Sequence, residues 1–438
     1  MRFPFITASI VGLIVATATA ADDWPEFRGP GGQGHSDAVG LPVVWSETEN
    51  VAWKIPVEGR AWSSPVVLGN QIWMTTALST IASPEETKKE LARLPVKVDI
   101  PMVARRVILK AVCVDRATGR RLQTITLFDL DELRHLCSVN SFASPTPVVE
   151  PGRLYCDFGA MGTACVDTIT GKVLWKRRLP IEHQVGPGSS PILHGDLLVL
   201  VRDGCDAQYV TALNKRTGQT MWKTNRPPID TDYTPYKKAF STPLVIGPPG
   251  KQQMVVPGAK WIVSYEPDSG KPIWWVDTGK SFSNASRPVF GHGMVFICTA
   301  YGGSQLLAIA VDGKGNVTDT HVVWKAQKQI PKRSSPLLVG DELYIVSDRG
   351  VATCLDAKTG ESHWAKRILG SCSASPLLAD GRIHFFDEDG KTAVLHPGKQ
   401  FVALAENQLD GRIMASVAIA GKAFLLRTDT HLYRIEQK

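Results

Sequence analysis

The sequence predicts an all-β fold, an eight-bladed β-propeller of four-stranded repeats, and three observations carry that prediction. A Ser-Pro start recurs at Ser64-Pro65, Ser144-Pro145, Ser190-Pro191, Ser335-Pro336 and Ser375-Pro376, with variants at Thr242-Pro243, Arg287-Pro288 and Ser416-Val417. From residue 145 onward these starts lie 40 to 52 residues apart. A D-x-x-T-G-type turn recurs at residues 115–119, 167–171, 214–218, 266–270 and 356–360, and a tryptophan follows most copies. A period of about 40–50 residues with four short β-type runs is the mark of propeller blades, which must stack to bury both faces.

The clearest copy is residues 333–369. Its runs LLV, LYIVS, VATCLD and SHWAKRIL are separated by GDE, DRG and AKTG. Gly350 and Gly360 sit where tight hairpins demand positive φ. The last copy offers only three runs, at residues 415–419, 423–427 and 431–436. Its missing partner lies at the other end of the sequence. Residues 50–57 (NVAWKIPV) carry Trp53-Lys54, like Trp175-Lys176 and Trp222-Lys223, yet precede the first start. Placed as the outer strand of the final blade, they close the ring and leave no open sheet edge.

Taken in order, residues 1–20 read as a secretory signal peptide, with Arg2, an apolar run and the Ala18-Thr19-Ala20 cleavage signal before Ala21. The protein is therefore expected to be exported, to the periplasm or beyond. That apolar run is short for a membrane span, and no other stretch could form one. Residues 21–44 read as an irregular extension pinned by Trp24 and Phe27, and residues 45–438 as one propeller. Blade one contains an insertion at about 78–106 between its second and third strands. Within it, Ser83-Pro84-Glu85-Glu86 has the form of a capping box opening a short helix. Residues 130–136 read as a second short helix. The tryptophans at Trp53, Trp175, Trp222, Trp274, Trp324 and Trp364 recur at one repeat position, so they are expected to pack between blades with each indole N–H on a backbone carbonyl.

Composition fits this scheme. The 38 glycines and 29 prolines suit a turn-rich β chain. The net charge of +7 is spread out, and without a Lys/Arg run it gives no basis for nucleic-acid binding. A monomer is expected. Of the eight cysteines, Cys113, Cys165 and Cys354 share a repeat position and read as small buried apolar residues. Cys156 and Cys165 flank one hairpin turn and form a candidate disulfide. The irregular spacings fit no zinc site, so no metal is expected.

The repeat S-S-P-φ-φ-x-G-x-x-φ-Y followed by φ-D-x-x-T-G-x-x-φ-W (φ apolar) resembles the pyrroloquinoline-quinone-type (PQQ-like) repeat over residues 50–438. That family builds eight-bladed propellers in quinoprotein alcohol dehydrogenases and in the outer-membrane assembly factor BamB. Residues 24–30 (WPEFRGP), 40–42 (GLP) and 50–54 (NVAWK) also resemble exported quinoprotein-like propellers of planctomycete-type bacteria. The enzymes of the family hold PQQ and Ca²⁺ with carboxylate and amide ligands, a catalytic Asp and often a vicinal Cys-Cys. This sequence has no Cys-Cys pair and no evident calcium loop, so no cofactor is expected and no catalytic residue is assigned.

In this architecture the first strand of each blade lines the central channel. Candidate ligand-binding residues are therefore Arg60, Trp62, His183, Gln184, Asn284, Arg287 and Arg333, with Lys332 beside them. Arg287 stands out, because the other starts place a small residue there. A charge entering an inner strand must meet water, a carboxylate or a ligand. Three functions stay open: a BamB-like non-enzymatic scaffold for a protein partner in the cell envelope, a quinoprotein-like oxidoreductase, and a propeller binding a small anion or glycan in a basic funnel. The first is favoured.

Overall fold

The computed structural model of the chain describes residues 23–94 and 102–438. The stretch 1–20, expected from the sequence to be a signal peptide, lies outside the described residues. Eight sheets follow one another around a ring, one per repeat, each built on four antiparallel strands, and three of them carry a short fifth strand. Their first strands are Val66–Leu68, Val148–Glu150, Ile192–His194, Leu244–Ile246, Val289–Gly291, Leu337–Val339, Leu377–Ala379 and Ala418–Ala420. Second and third strands are continuous apolar runs buried on both faces, as in Met294–Cys298 and Leu306–Ala310. Fourth strands alternate half-buried and exposed residues, as in Thr220–Asn225, because one face meets the next blade and the other meets water.

The ring closes as the spacing predicts. Val51–Pro56 pairs antiparallel with His431–Glu436, from Val51 opposite Ile435 to Pro56 opposite His431. The final sheet thus takes three strands from one end of the sequence and its fourth from the other.

Two interactions explain why the repeat looks as it does. The first joins a fourth strand to the turn between the third and fourth strands of the next blade, a D-x-x-T-G-type turn in every case below but Gly398. Trp53 Nε1 donates to the Arg116 carbonyl at 3.2 Å, Trp175 to Lys215 at 3.0 Å, Trp222 to Pro267 at 3.2 Å, Trp324 to Ala357 at 3.0 Å and Trp364 to Gly398 at 3.1 Å. The turn glycine lies against the ring: a Cβ on Gly360 would come within 2.7 Å of Trp324. Trp274 differs, since blade five has an altered turn, and its indole donates to Gln253 Oε1 at 2.7 Å within its own blade. In blade one Gln123 takes the tryptophan's place, its amide reaching the Thr168 carbonyl at 3.5 Å.

The second interaction explains the Ser-Pro starts. The hydroxyl residue before proline accepts a backbone N–H from the equivalent residue of the preceding blade. Ser64 N donates to Thr146 Oγ1, Thr146 N to Ser190 Oγ, Ser190 N to Thr242 Oγ1, Arg287 N to Ser335 Oγ, Ser335 N to Ser375 Oγ and Ser375 N to Ser416 Oγ, all at 2.9–3.0 Å. At six of the eight starts the residue is therefore a hydrogen-bond acceptor, in a ring around the axis that is interrupted at Arg287 and at Ser64. It also corrects blade two, whose structural start is Thr146-Pro147, two residues beyond Ser144-Pro145.

The predicted helix is Pro84–Arg93, with the Ser83 hydroxyl accepting from Glu86 N and Glu86 reaching back to Ser83 N. It tips a long hairpin of Gln71–Ile81 and Met102–Asp115. Residues 130–136 are not a helix: Arg134–Leu136 is a short strand paired to Met102–Ala104, because the long third strand offers it a free edge. Cys156 and Cys165 do not form a disulfide. Cys156 lies opposite Ala164 and Cys165 opposite Tyr155, so adjacent rungs turn the two thiols to opposite faces. Cys156 packs toward blade one and Cys165 toward blade three.

Candidate functional site

The propeller axis is occupied from one side by the chain's own N-terminal segment. Trp24 forms a β-bridge with Val67 of blade one, and the Pro25 carbonyl accepts from Val149 N of blade two at 2.9 Å. The segment then crosses to the far wall. Gln33 Oε1 accepts from Phe290 N of blade five at 2.8 Å, His35 Nε2 lies 2.7 Å from the Leu338 carbonyl of blade six, and His35–Ser36 adds a parallel strand to blade seven. All of these contacts lie at the strand one–strand two ends of the blades. Trp24 and Trp45 are each 2 % exposed, which fixes both ends of the crossing in the core.

Arg287 is the centre of this plug. Its Nη2 lies 2.9 Å from Glu26 Oε2, its Nη1 donates to the Phe27 carbonyl, and its Nε donates to the Pro243 carbonyl at 3.1 Å. The ligand that an arginine at this start requires is a carboxylate of the extension. Gly32 makes the approach possible: at φ +70° or so no side chain is favoured, and a Cβ there would sit 2.1 Å from the guanidinium. Arg28 lies beside it, and burial followed by the Arg287 charge pushes its pKa down to about 9.

On the opposite side the axis opens as a funnel of about 550 Å³. Phe27 reaches into it, and Trp62, Phe240, Phe282, Lys238 and Arg333 line it together with hydroxyls of the blade starts. The mouth is built from the loops joining one blade to the next and from the turns between second and third strands, on the side that also carries helix Pro84–Arg93.

The sequence candidates divide by location. Trp62, Lys332 and Arg333 line the funnel. Arg60 stacks over Trp62 at 5.3 Å and donates to the Ser138 carbonyl at 2.6 Å; burial and the charge of Arg412 lower its pKa. Arg333 and Arg412 both bind Glu388, at 2.9 and 2.7 Å, and Ser373 donates to the same carboxylate. Burial works against that carboxylate, but the hydroxyl and the two guanidiniums outweigh it and hold its pKa below the ordinary range. Arg287 faces the plug, so Arg60, Arg287 and Arg333 do not make one basic cluster.

The remaining three candidates hold the walls together. Asn284 is fully buried, donating to the Gly258 carbonyl and Ser281 while accepting from Ala300 N. Gln184 adopts φ +64° and presents Oε1 to Cys205 and Lys238, each at 3.5 Å. His183 stacks on Phe240 at 6.3 Å and 28°; burial and then the Arg202 charge push its pKa down to about 3, so the imidazole is neutral.

Sequence reasoning missed the mouth's most distinctive feature. Tyr233, Tyr236, Phe282 and Tyr301 form a row with successive centroids 4.4, 4.5 and 5.7 Å apart. The last two are clipped together by a backbone bridge. Lys238 stands over Phe282 at 5.9 Å and Lys332 over Tyr301 at 4.5 Å. These residues come from three loops of unequal length, where no periodicity could align them.

Comparison with known proteins follows the same lines. The family described as outer membrane protein assembly factor BamB matches residues 92–224, 206–329 and 313–414. No curated protein matches the chain significantly. Among solved structures, BamB from Moraxella catarrhalis superposes with a TM-score of 0.57 at 13% identity, over 88% of this chain and 99% of that one. Quinohemoprotein alcohol dehydrogenase from Comamonas testosteroni gives 0.65 at 11% identity, over 97% and 82%. A europium-containing methanol dehydrogenase gives 0.60 at 12% identity, over 95% and 89%. At these identities the likeness is one of fold.

Proposed function

The chain belongs to the family of the outer membrane protein assembly factor BamB, and from that premise we propose that it is an exported, non-enzymatic scaffold holding a protein partner in the cell envelope. One observation carries this reading. The hairpin of blade one, with strands of 11 and 14 residues, extends past the shorter strands of the other blades and ends in a helix with no buried residue. The arm is braced by Glu90 on His135 at 3.1 Å and by Arg105 on Glu86 at 3.3 Å, yet leaves Ile81 and Leu91 57% and 37% exposed. A braced arm with apolar tips costs solvation in the free protein and gains it on docking.

The family's enzymes raise the question of a calcium-bound quinone. The donors such a group needs are engaged otherwise: Asn284 in wall bonds, Glu388 between two arginines, and the axis itself by Phe27 and the Arg287–Glu26 pair. Among the described residues no three His, Cys, Asp or Glu side chains gather as metal ligands. This donor set does not fit that group.

The test places a photo-crosslinking residue at Leu91 and, as control, at Lys314 on blade five. A single discrete adduct in the envelope from position 91 alone supports the scaffold. In parallel, the purified chain is titrated with PQQ with and without Ca²⁺ and assayed for dye reduction on alcohols and sugars. Calcium-dependent binding with turnover, or equal crosslinking from both positions, overturns it.

A further inference from the structure

The funnel has chemistry that a scaffold does not require. Lys238 is 4% exposed, yet its ammonium reaches only the Pro235 carbonyl at 3.0 Å and Gln184 Oε1 at 3.5 Å. No carboxylate among the described residues forms an ion pair with Lys238 or Lys332. Burying an ammonium without an opposite charge is costly, and a site that keeps one beside an open cavity is suited to an anion arriving from outside. Arg333 and Arg412 share the carboxylate of Glu388, whereas the two lysines have none.

Both lysines flank one aromatic pair, Phe282 and Tyr301, and the row continues outward through Tyr236 and Tyr233. Tyr233, Tyr236 and Tyr301 are 38%, 42% and 45% exposed, so a line of ring faces and phenol hydroxyls runs from solvent to the cavity. Aromatic faces take the C–H face of a pyranose, and phenols satisfy its hydroxyls. A nucleic acid would call for a basic stripe, which the surface lacks, whereas two lysines at a bounded cavity match a ligand with few charges.

We propose that the funnel and its aromatic row bind an anionic saccharide, with sugar rings on Tyr236, Phe282 and Tyr301 and the acid group between Lys238 and Lys332. The anionic group is a carboxylate, as in a uronic acid, or a sulfate ester. The site is independent of the arm on blade one, so it stands whether or not a protein partner docks there.

Isothermal titration of the full chain with a tetra-uronate, a sulfated tetrasaccharide and a neutral hexose tetramer decides the matter. Binding of at least one acidic probe, weakened by added salt, with the neutral one at least about tenfold weaker, is expected. The acid probe that binds identifies the anionic group. Lys332→Gln should weaken acid binding about tenfold, and Tyr236→Ala, an exposed position that leaves folding intact, should weaken it severalfold. Absence of binding to both acids, equal binding of the neutral tetramer, or wild-type affinity in both variants overturns the proposal. So does binding of an acidic, aromatic peptide in place of every saccharide.

Discussion

Arg287 Nη2 and Glu26 Oε2 meet at 2.9 Å across 261 residues of sequence, and that contact fastens the N-terminal segment to the far wall of the ring. Arg287 is 2% exposed, so its charge has no access to water if the carboxylate leaves. Glu26→Gln keeps the shape and removes the charge, and should destabilise the protein by about 3 kcal/mol. Amide hydrogen exchange over residues 24–36 should rise with it. Unchanged protection of that stretch would mean the plug is held elsewhere.

The hydroxyl ring around the axis gives a graded prediction. Ser335→Ala strips the acceptor from Arg287 N, leaving a buried N–H unpaired at a cost of about 1–3 kcal/mol. Ser64→Ala should cost less, because Ser64 Oγ itself has no hydrogen-bond partner. Thermal denaturation of the two variants side by side reads the difference, and equal melting temperatures would remove the ring as a source of stability.

The turn glycines carry the inter-blade seam. At Gly360, φ is +77° and a Cβ would stand 2.7 Å from Trp324, so Gly360→Ala should cost about 2 kcal/mol or more. Trp324→Phe keeps most of the ring and loses only the bond to Ala357, costing about 1 kcal/mol beyond the lost area. Urea titration should rank the alanine variant below the phenylalanine one.

Stability should fall on acidification well above the carboxylate range. His384 is fully buried between Trp45 and Phe424, and burial, followed by Arg382, pushes its pKa down to about 3. The unfolded chain binds that proton below about 6.5 while the folded one refuses it until about 3, so stability is full above 6.5 and drains away between the two values. His384→Phe should flatten the dependence of melting temperature on pH between 6.5 and 5. His183 shares the low pKa, so a residual slope remains. An unaltered slope in the His384 variant would show that its imidazole is not held neutral.

Thiol titration in denaturant should find all eight cysteines free. A count of six would require a disulfide, which the rungs of blade two forbid for Cys156 and Cys165.

Blade number, ring closure and the capped helix were legible in the sequence because each depends on a periodic or local signal: repeat spacing, an orphan Trp-Lys strand, a Ser-x-x-Glu box. Arg287 was legible for a different reason. A charge in a row of small residues demands a partner, though nothing in the spacing named Glu26. The rest failed where three-dimensional register decides. Thr146 and Ser144 both precede proline, and only the strand's true start selects the acceptor. Cys156 and Cys165 look adjacent around a turn until the pleat separates them. Asn284 resembles a channel ligand but faces into the wall, and the Tyr236–Phe282–Tyr301 row draws on loops that share no repeat.

The final sheet holds Val51–Pro56 against His431–Glu436, with Glu436 N also donating to the Asn50 carbonyl at 2.9 Å. During synthesis, Val51–Pro56 therefore appears nearly 400 residues before its mate, and must wait as an unmatched edge while seven blades assemble. The last few residues then act as the keystone. Deleting His431–Glu436 would remove one strand in count, but it would set loose the N-terminal strand as well and leave a circle with a gap.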